Sequence, residues 1–144
     1  IAIDVWKVWE RGVVPSFVLE VVGRDPRKDY EEAPRRYAEL GVDELIVFDP
    51  FPGPDRRAFT VYRRDETGLP PVLVTQDDAV YSQALGCEIR KVGEGAATRL
   101  RLATGEDGAI VVPTAEESAQ AERAAKEAAL RRIAELEAEL KKRG

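Results

Sequence analysis

The chain has 144 residues, of which 44% are hydrophobic and 34% charged, and a net charge of −5. That is enough for one compact core and too little for two. No apolar run reaches the ~18 residues of a membrane span, and no basic-then-apolar leader is present, so the reading is a soluble, cytoplasmic protein. A single cysteine, Cys87, and the absence of histidine exclude an internal disulfide, triads that need His and the common zinc sites.

Methionine is absent, and Ile1 opens in what reads as the middle of a folded pattern. A front portion of the parent chain is therefore expected to be missing. Trp6 and Trp9, near this start, read as core or interface residues before base-stacking ones. Phe17, Val18, Leu19, Val21 and Val22 then form a nearly continuous apolar run, the sign of a strand covered on both faces. Asp29 with Glu32 reads as a helix cap, and Tyr30, Ala33, Tyr37 and Leu40 share one helical face that Gly41 ends. Pro34 cannot donate to the carbonyl of Tyr30, so the regular helix is expected to start only there. Leu45 to Phe48 makes a second buried strand, closed by Asp49 and Pro50. Strand, helix and strand in this order favour parallel pairing of the two strands.

Further strands are expected at Ala58 to Arg64, with Phe59 and Val61 inward, and at Pro71 to Thr75. Short hairpin strands are expected near Cys87 to Val92, Thr98 to Ala103 and Ala109 to Val112. Cys87 has no base in sequence reach and reads as a buried strand thiol. There is no internal repeat and no phosphate loop of the G-x-x-x-x-G-K-[ST] type.

Composition changes at Pro113. Residues 114 to 144 hold no proline and seven acidic against seven basic residues, so the −5 belongs to the body. An acidic body is not a standing nucleic-acid clamp. Within it, Arg24, Arg27, Lys28, Arg35 and Arg36 form one basic concentration and Arg56, Arg57, Arg63 and Arg64 another, both read as solvated surface. Two domains follow: a body over residues 1 to 113 and a C-terminal helix over 114 to 144. Thr114 and Glu117 form a capping box at the helix start. Ala129, Ile133, Leu136 and Leu140 follow coiled-coil spacing, a seam for a homodimer or for a weakly associating helix.

Glu20 is the informative residue. Strand alternation places Val18, Glu20 and Val22 on one face, so a carboxylate projects from an apolar strand near its C-terminal end, where clefts open in crossover sheets. A buried carboxylate needs a cation, a metal or a wet cleft. The plain alternative is an edge Glu paired with a nearby Arg or Lys.

The runs V-W-K-V-W-E-R-G, P-S-F-V-L-E-V-V, D-P-R-K-D-Y and R-R-Y-A-E-L-G-V-D-E-L-I-V-F-D-P, from Val5 to Asp49 with the flanking proline, resemble the core of a large bacterial family of restriction-endonuclease-like proteins. That family is a branch of the PD-(D/E)xK nuclease superfamily. The resemblance implies an α/β fold of restriction-endonuclease type, with a mixed sheet and flanking helix, and an Mg²⁺-dependent DNA endonuclease. Its metal site would combine an upstream Asp, the strand Glu and a Lys, since carboxylate oxygens suit a hard cation and the Lys steadies phosphoryl charge. Glu20 matches the strand Glu. Asp4 is the upstream acid at hand, although it lacks the preceding Pro. The superfamily Lys position falls on Val22 and this family's own Lys position on Ala33; Gly23 stands where the family often has Ser. Lys28, Arg35 or Arg36 is left to supply the cation, with Lys28 assigned, and Asp25 and Asp29 are possible extra oxygen ligands. Two readings compete: a metal-dependent endonuclease whose 144-residue chain is inactive, and a non-catalytic module that binds or assembles through its C-terminal helix.

Overall fold

The computed structural model describes residues 8–143, in two compact units, 1–110 and 111–144. A short helix, α1 (Val8–Arg11), precedes β1 (Phe17–Val21). A π-helical turn, Lys28–Glu32, runs into α2 (Ala33–Leu40), which leads to β2 (Glu44–Phe48). Then come β3 (Phe59–Arg63), β4 (Pro71–Thr75), β5 (Ala79–Ser82), β6 (Cys87–Val92), β7 (Arg99–Thr104) and β8 (Ile110–Val111). The last element is α3 (Ala115–Arg143). Two four-stranded sheets form, in the orders β1-β2-β3-β4 and β5-β6-β7-β8.

The first sheet is mixed. β1 pairs with β2 in parallel, as a strand–helix–strand crossover requires, and β3 and β4 continue antiparallel. β2 is buried along its whole length because alternate residues feed two cores. Ile46 and Phe48 pack with Phe59, Val61, Val80 and Ile89, joining the first sheet to the second. Leu45 and Val47 pack with Tyr62, Val18, Val22, Tyr30 and Tyr37 on the helix side. The sheet therefore lies between α2 and the second sheet. This is a mixed α/β, restriction-endonuclease-like architecture.

Several expectations change here. β1 is an edge strand in the described structure: Leu19 and Val21 are 36% and 53% exposed, so it is not covered on both faces. Thr60 and Tyr62 of β3 are buried along with Phe59 and Val61, because β3 also serves both cores. Asp29 and Glu32 do not cap a helix; Asp29 Oδ2 accepts the Gly23 N–H at 3.0 Å, and Glu32 pairs with Arg27 at 2.8 Å. The α-helix begins at Ala33, with Pro34 in its first turn, and Gly41 ends it at φ 95°, a conformation that glycine adopts without cost. Among the strands, β5 is the element that the sequence did not signal.

Three arginines of the second basic concentration, partly exposed, also brace the framework. Arg63 bonds Glu44, and Arg56 lies 3.3 Å from Asp49. Arg64 donates to the carbonyls of Val42 at 2.8 Å and Ala38 at 2.9 Å, which satisfies the end of α2. Cys87 is buried, as its strand position leads one to expect. In the second unit, Thr114 and Glu117 bond reciprocally, 2.8 Å and 3.2 Å, and start a helix that no proline interrupts. No helix among the described residues is long and apolar enough to cross a membrane.

Candidate functional site

Glu20 lies opposite Val47 in the parallel register, near the carboxyl ends of β1 and β2. Val18 and Val22, which share its face, pack into the helix-side core, so Glu20 projects toward the π-turn and α2. Its carboxylate accepts the Tyr37 hydroxyl in a short hydrogen bond. A cleft of about 280 Å³ opens there, lined by Glu20, Lys28, Asp29, Glu32, Ala33, Arg36 and Tyr37.

The spacing of that lining follows from local structure. Lys28, Glu32 and Arg36 stand four apart, as do Asp29, Ala33 and Tyr37, so the π-turn and α2 present them in successive layers beside β1. Tyr37 is held neutral: burial first, then the hydrogen bond to Glu20, push its hydroxyl up to about 12. At neutral pH it is a proton donor to Glu20 and not a base.

The cleft is close to electrically balanced. Glu32 is paired with Arg27, Asp29 accepts a backbone N–H, and the charges of Lys28 and Arg36 offset those of Glu20 and Asp29. Among the described residues no group of three acidic, Cys or His side chains is arranged to hold a metal ion. Described residues alone therefore do not fit a complete Mg²⁺ centre, which needs several oxygens converging at short range.

Of the residues singled out from the sequence, the structure brings Glu20, Lys28, Asp29, Ala33 and Arg36 to one cleft. Arg35 and Asp25 do not line it. Asp4 lies outside the described residues, as does Trp6, and the Trp9 side chain is likewise not described. Ala33, on which the resemblance sets the family's Lys position, is 8% exposed and lines the same cleft as Glu20.

Sequence reasoning missed a second carboxylate nearby. Asp49, 3% exposed and just beyond β2, accepts the Phe51 N–H at 3.0 Å and lies 3.3 Å from Arg56 and 3.5 Å from the Tyr30 hydroxyl. Burial, and then the Asp49 charge, raise Tyr30 to about 12. Tyr30 also lines a cavity of about 520 Å³, together with Arg27, Arg56 and Arg57. The signal available was Asp49 itself, an acid closing the apolar run Leu45 to Phe48.

Comparison with known proteins adds one match. The family model described as "Putative restriction endonuclease" (Uma2) matches residues 3–91, which include the π-turn, α2, the whole first sheet and the Glu20 cleft. No curated protein matches the chain.

Proposed function

The chain belongs to the restriction endonuclease family that residues 3–91 match, and from that premise we propose a DNA phosphodiester site centred on Glu20 that does not hydrolyse DNA in residues 1–144. One observation carries this reading: Ala33 lines the Glu20 cleft, and the resemblance sets the family's Lys at that position. Without that ammonium group, negative charge developing on the phosphoryl oxygens loses a fixed counter-charge, an effect commonly worth ~10²-fold or more. Lys28 and Arg36 line the cleft, but Glu20 and Asp29 offset their charges, so a substitute cation there replaces it only in part.

Mg²⁺ is the cofactor this family implies. Glu20 is the metal ligand we assign, with Asp4 as its partner and Lys28 as the substitute cation. Lys28 supports a phosphate contact from the wall of the cleft, while Arg36 lies on the same wall. Tyr37 holds the Glu20 carboxylate in place, which fixes its direction and occupies part of its acceptor capacity.

A second reading has its own observation. Leu130, Ile133, Leu136 and Leu140 of α3 are 43–71% exposed, an apolar stripe that suits an assembly role with a second copy of the chain as partner. The two readings are compatible, since one concerns the cleft and the other α3.

The test is incubation of residues 1–144 with supercoiled and linear DNA in Mg²⁺ or Mn²⁺, beside the Glu20→Ala variant. No nicking or cutting is expected from either protein. Metal-dependent cleavage that Glu20→Ala abolishes would overturn the proposed silence and make Lys28 or Arg36 the working cation.

A further inference from the structure

Resting on the reading of α3 as an assembly face, we infer that two copies of α3 pair antiparallel, with Leu130 against the second copy's Leu130 and Arg123 against the second copy's Glu137. Ala129, Ile133, Leu136 and Leu140 occupy the alternating seam positions, and that seam continues backward through Lys126, Glu122 and Ala119. Leu130, 56% exposed, stands beside the seam, not on it. Any pairing has to account for that leucine and for the two charges in the seam.

A parallel pair does neither. It sets Lys126 against its own copy and Glu122 against its own copy, gathers the basic ends of both helices together, and leaves Leu130 facing Ala125. Like charges directly opposed are destabilising.

The antiparallel register resolves each point. Leu130 meets Leu130 at the centre, and Ile133 packs on Ala129. Lys126 crosses to Leu136, where its aliphatic stem covers apolar surface and its ammonium group reaches water. Lys141 and Lys142 run beside Glu122 and the acidic first turn, Glu116 and Glu117, of the other helix. Arg123 and Glu137, flanking the centre, form two symmetric interchain pairs.

Ion pairing within the single helix agrees with this. Arg131 pairs with Glu127 at 3.5 Å and Arg132 with Glu135 at 3.0 Å. Arg123 and Glu137 have no partner among the described residues and are available to another chain. Arg132 would face its own copy, but each Arg132 already has a carboxylate on its own helix.

The experiment is sedimentation equilibrium of the full chain and four variants, with circular dichroism to check that helix content is retained. A wild-type dimer is expected that Leu136→Glu dissociates. Arg123→Glu and Glu137→Arg should each weaken dimerisation roughly tenfold, since each turns two attractive pairs repulsive. The double variant carrying both changes should regain wild-type affinity, because both pairs are restored with their signs exchanged. In a parallel dimer Glu137 lies across from Arg132 and Arg123 from Ser118, so the double variant would stay weak. That result overturns the antiparallel register and leaves the assembly reading standing. A wild-type monomer at every concentration, or a dimer indifferent to Leu136→Glu, overturns both.

Discussion

Replacing Glu44 by Gln should cost about 3 kcal/mol of stability, because this carboxylate joins the two sheets from a nearly buried position. Glu44 opens β2 and is 2% exposed; it accepts hydrogen bonds from the Ser82 hydroxyl on β5, from Arg63 Nε at 2.9 Å and from the Gln83 N–H at 3.0 Å. An amide of the same size keeps one accepting oxygen but turns an N–H group toward donors and removes the charge facing Arg63. Breaking a buried ion pair costs roughly 3–5 kcal/mol. The low end applies because Arg63, at 27% side-chain exposure, can recover some hydration. For a domain of this size the loss lowers Tm on the order of 15 °C. Burial pushes the Glu44 carboxyl up, yet the bonds from Ser82, Arg63 and the Gln83 and Ala84 backbone outweigh it and hold it below its ordinary 4.5. A depressed folded value means that the contribution is complete above the unfolded value and is lost as pH falls through the folded one. The wild type and Glu44→Gln should thus differ most at neutral pH and converge in acid below about pH 4.5. Thermal unfolding followed by circular dichroism from neutral to acid pH measures both effects. A neutral-pH difference under about 1 kcal/mol, the range of solvated pairs, would refute the claim that this carboxylate is a buried junction.

Tyr30 and Tyr37 should ionise near pH 12 in the folded chain, and Glu20→Gln should bring Tyr37 part of the way back toward 10, leaving the share due to burial. Because the folded value is raised, the stabilisation from that hydrogen bond is complete below about pH 10 and lost as pH rises through about 12; NMR of ring-labelled tyrosine follows each residue, and an unmoved Tyr37 would deny the contact. Leu45→Ala, at a position fully buried on the helix side, should cost about 2–5 kcal/mol in denaturant unfolding, and a loss below 1 kcal/mol would show that this core collapses around the gap.

Much of the fold was legible where one pattern acted alone. The run Leu45 to Phe48 marked a strand buried on both faces, and it is; Pro71 to Thr75 and Cys87 to Val92 gave strand limits that coincide with β4 and β6. Thr114 with Glu117 marked the start of α3 because a capping box is a local motif whose partners lie within one turn. β1 was misjudged since its apolar residues do not say how many strands flank it. In β5, the short A-V-Y-S segment buries Val80 and Ser82 only by virtue of the sheets around it, and nothing local signals that. For the same reason Glu44 escaped notice: its partners Ser82 and Gln83 lie 38 and 39 residues away. Glu20 was legible because an acid at an inward position of an apolar strand violates the pattern. The role of Tyr37 as its hydrogen-bond donor was not, since that depends on how α2 seats against β1.

Pro34 links the helix defect to the cleft. It has no N–H to give the Tyr30 carbonyl, and the chain immediately before it winds as a π-turn, closed by the Ala33 N–H on the Lys28 carbonyl. In an α-helix, four residues advance about 400°, so Lys28, Glu32 and Arg36 would drift by about 80° over two steps. A π-turn takes about 4.4 residues per revolution, and four residues then advance about 330°, a drift of the opposite sign. One step of each kind nearly cancels. Lys28, Glu32 and Arg36 therefore stack along one line, with Asp29, Ala33 and Tyr37 beside them, and both rows face the Glu20 strand. The same proline that spoils the regular helix thus aligns the wall of the cleft, and Ala33 is part of that wall.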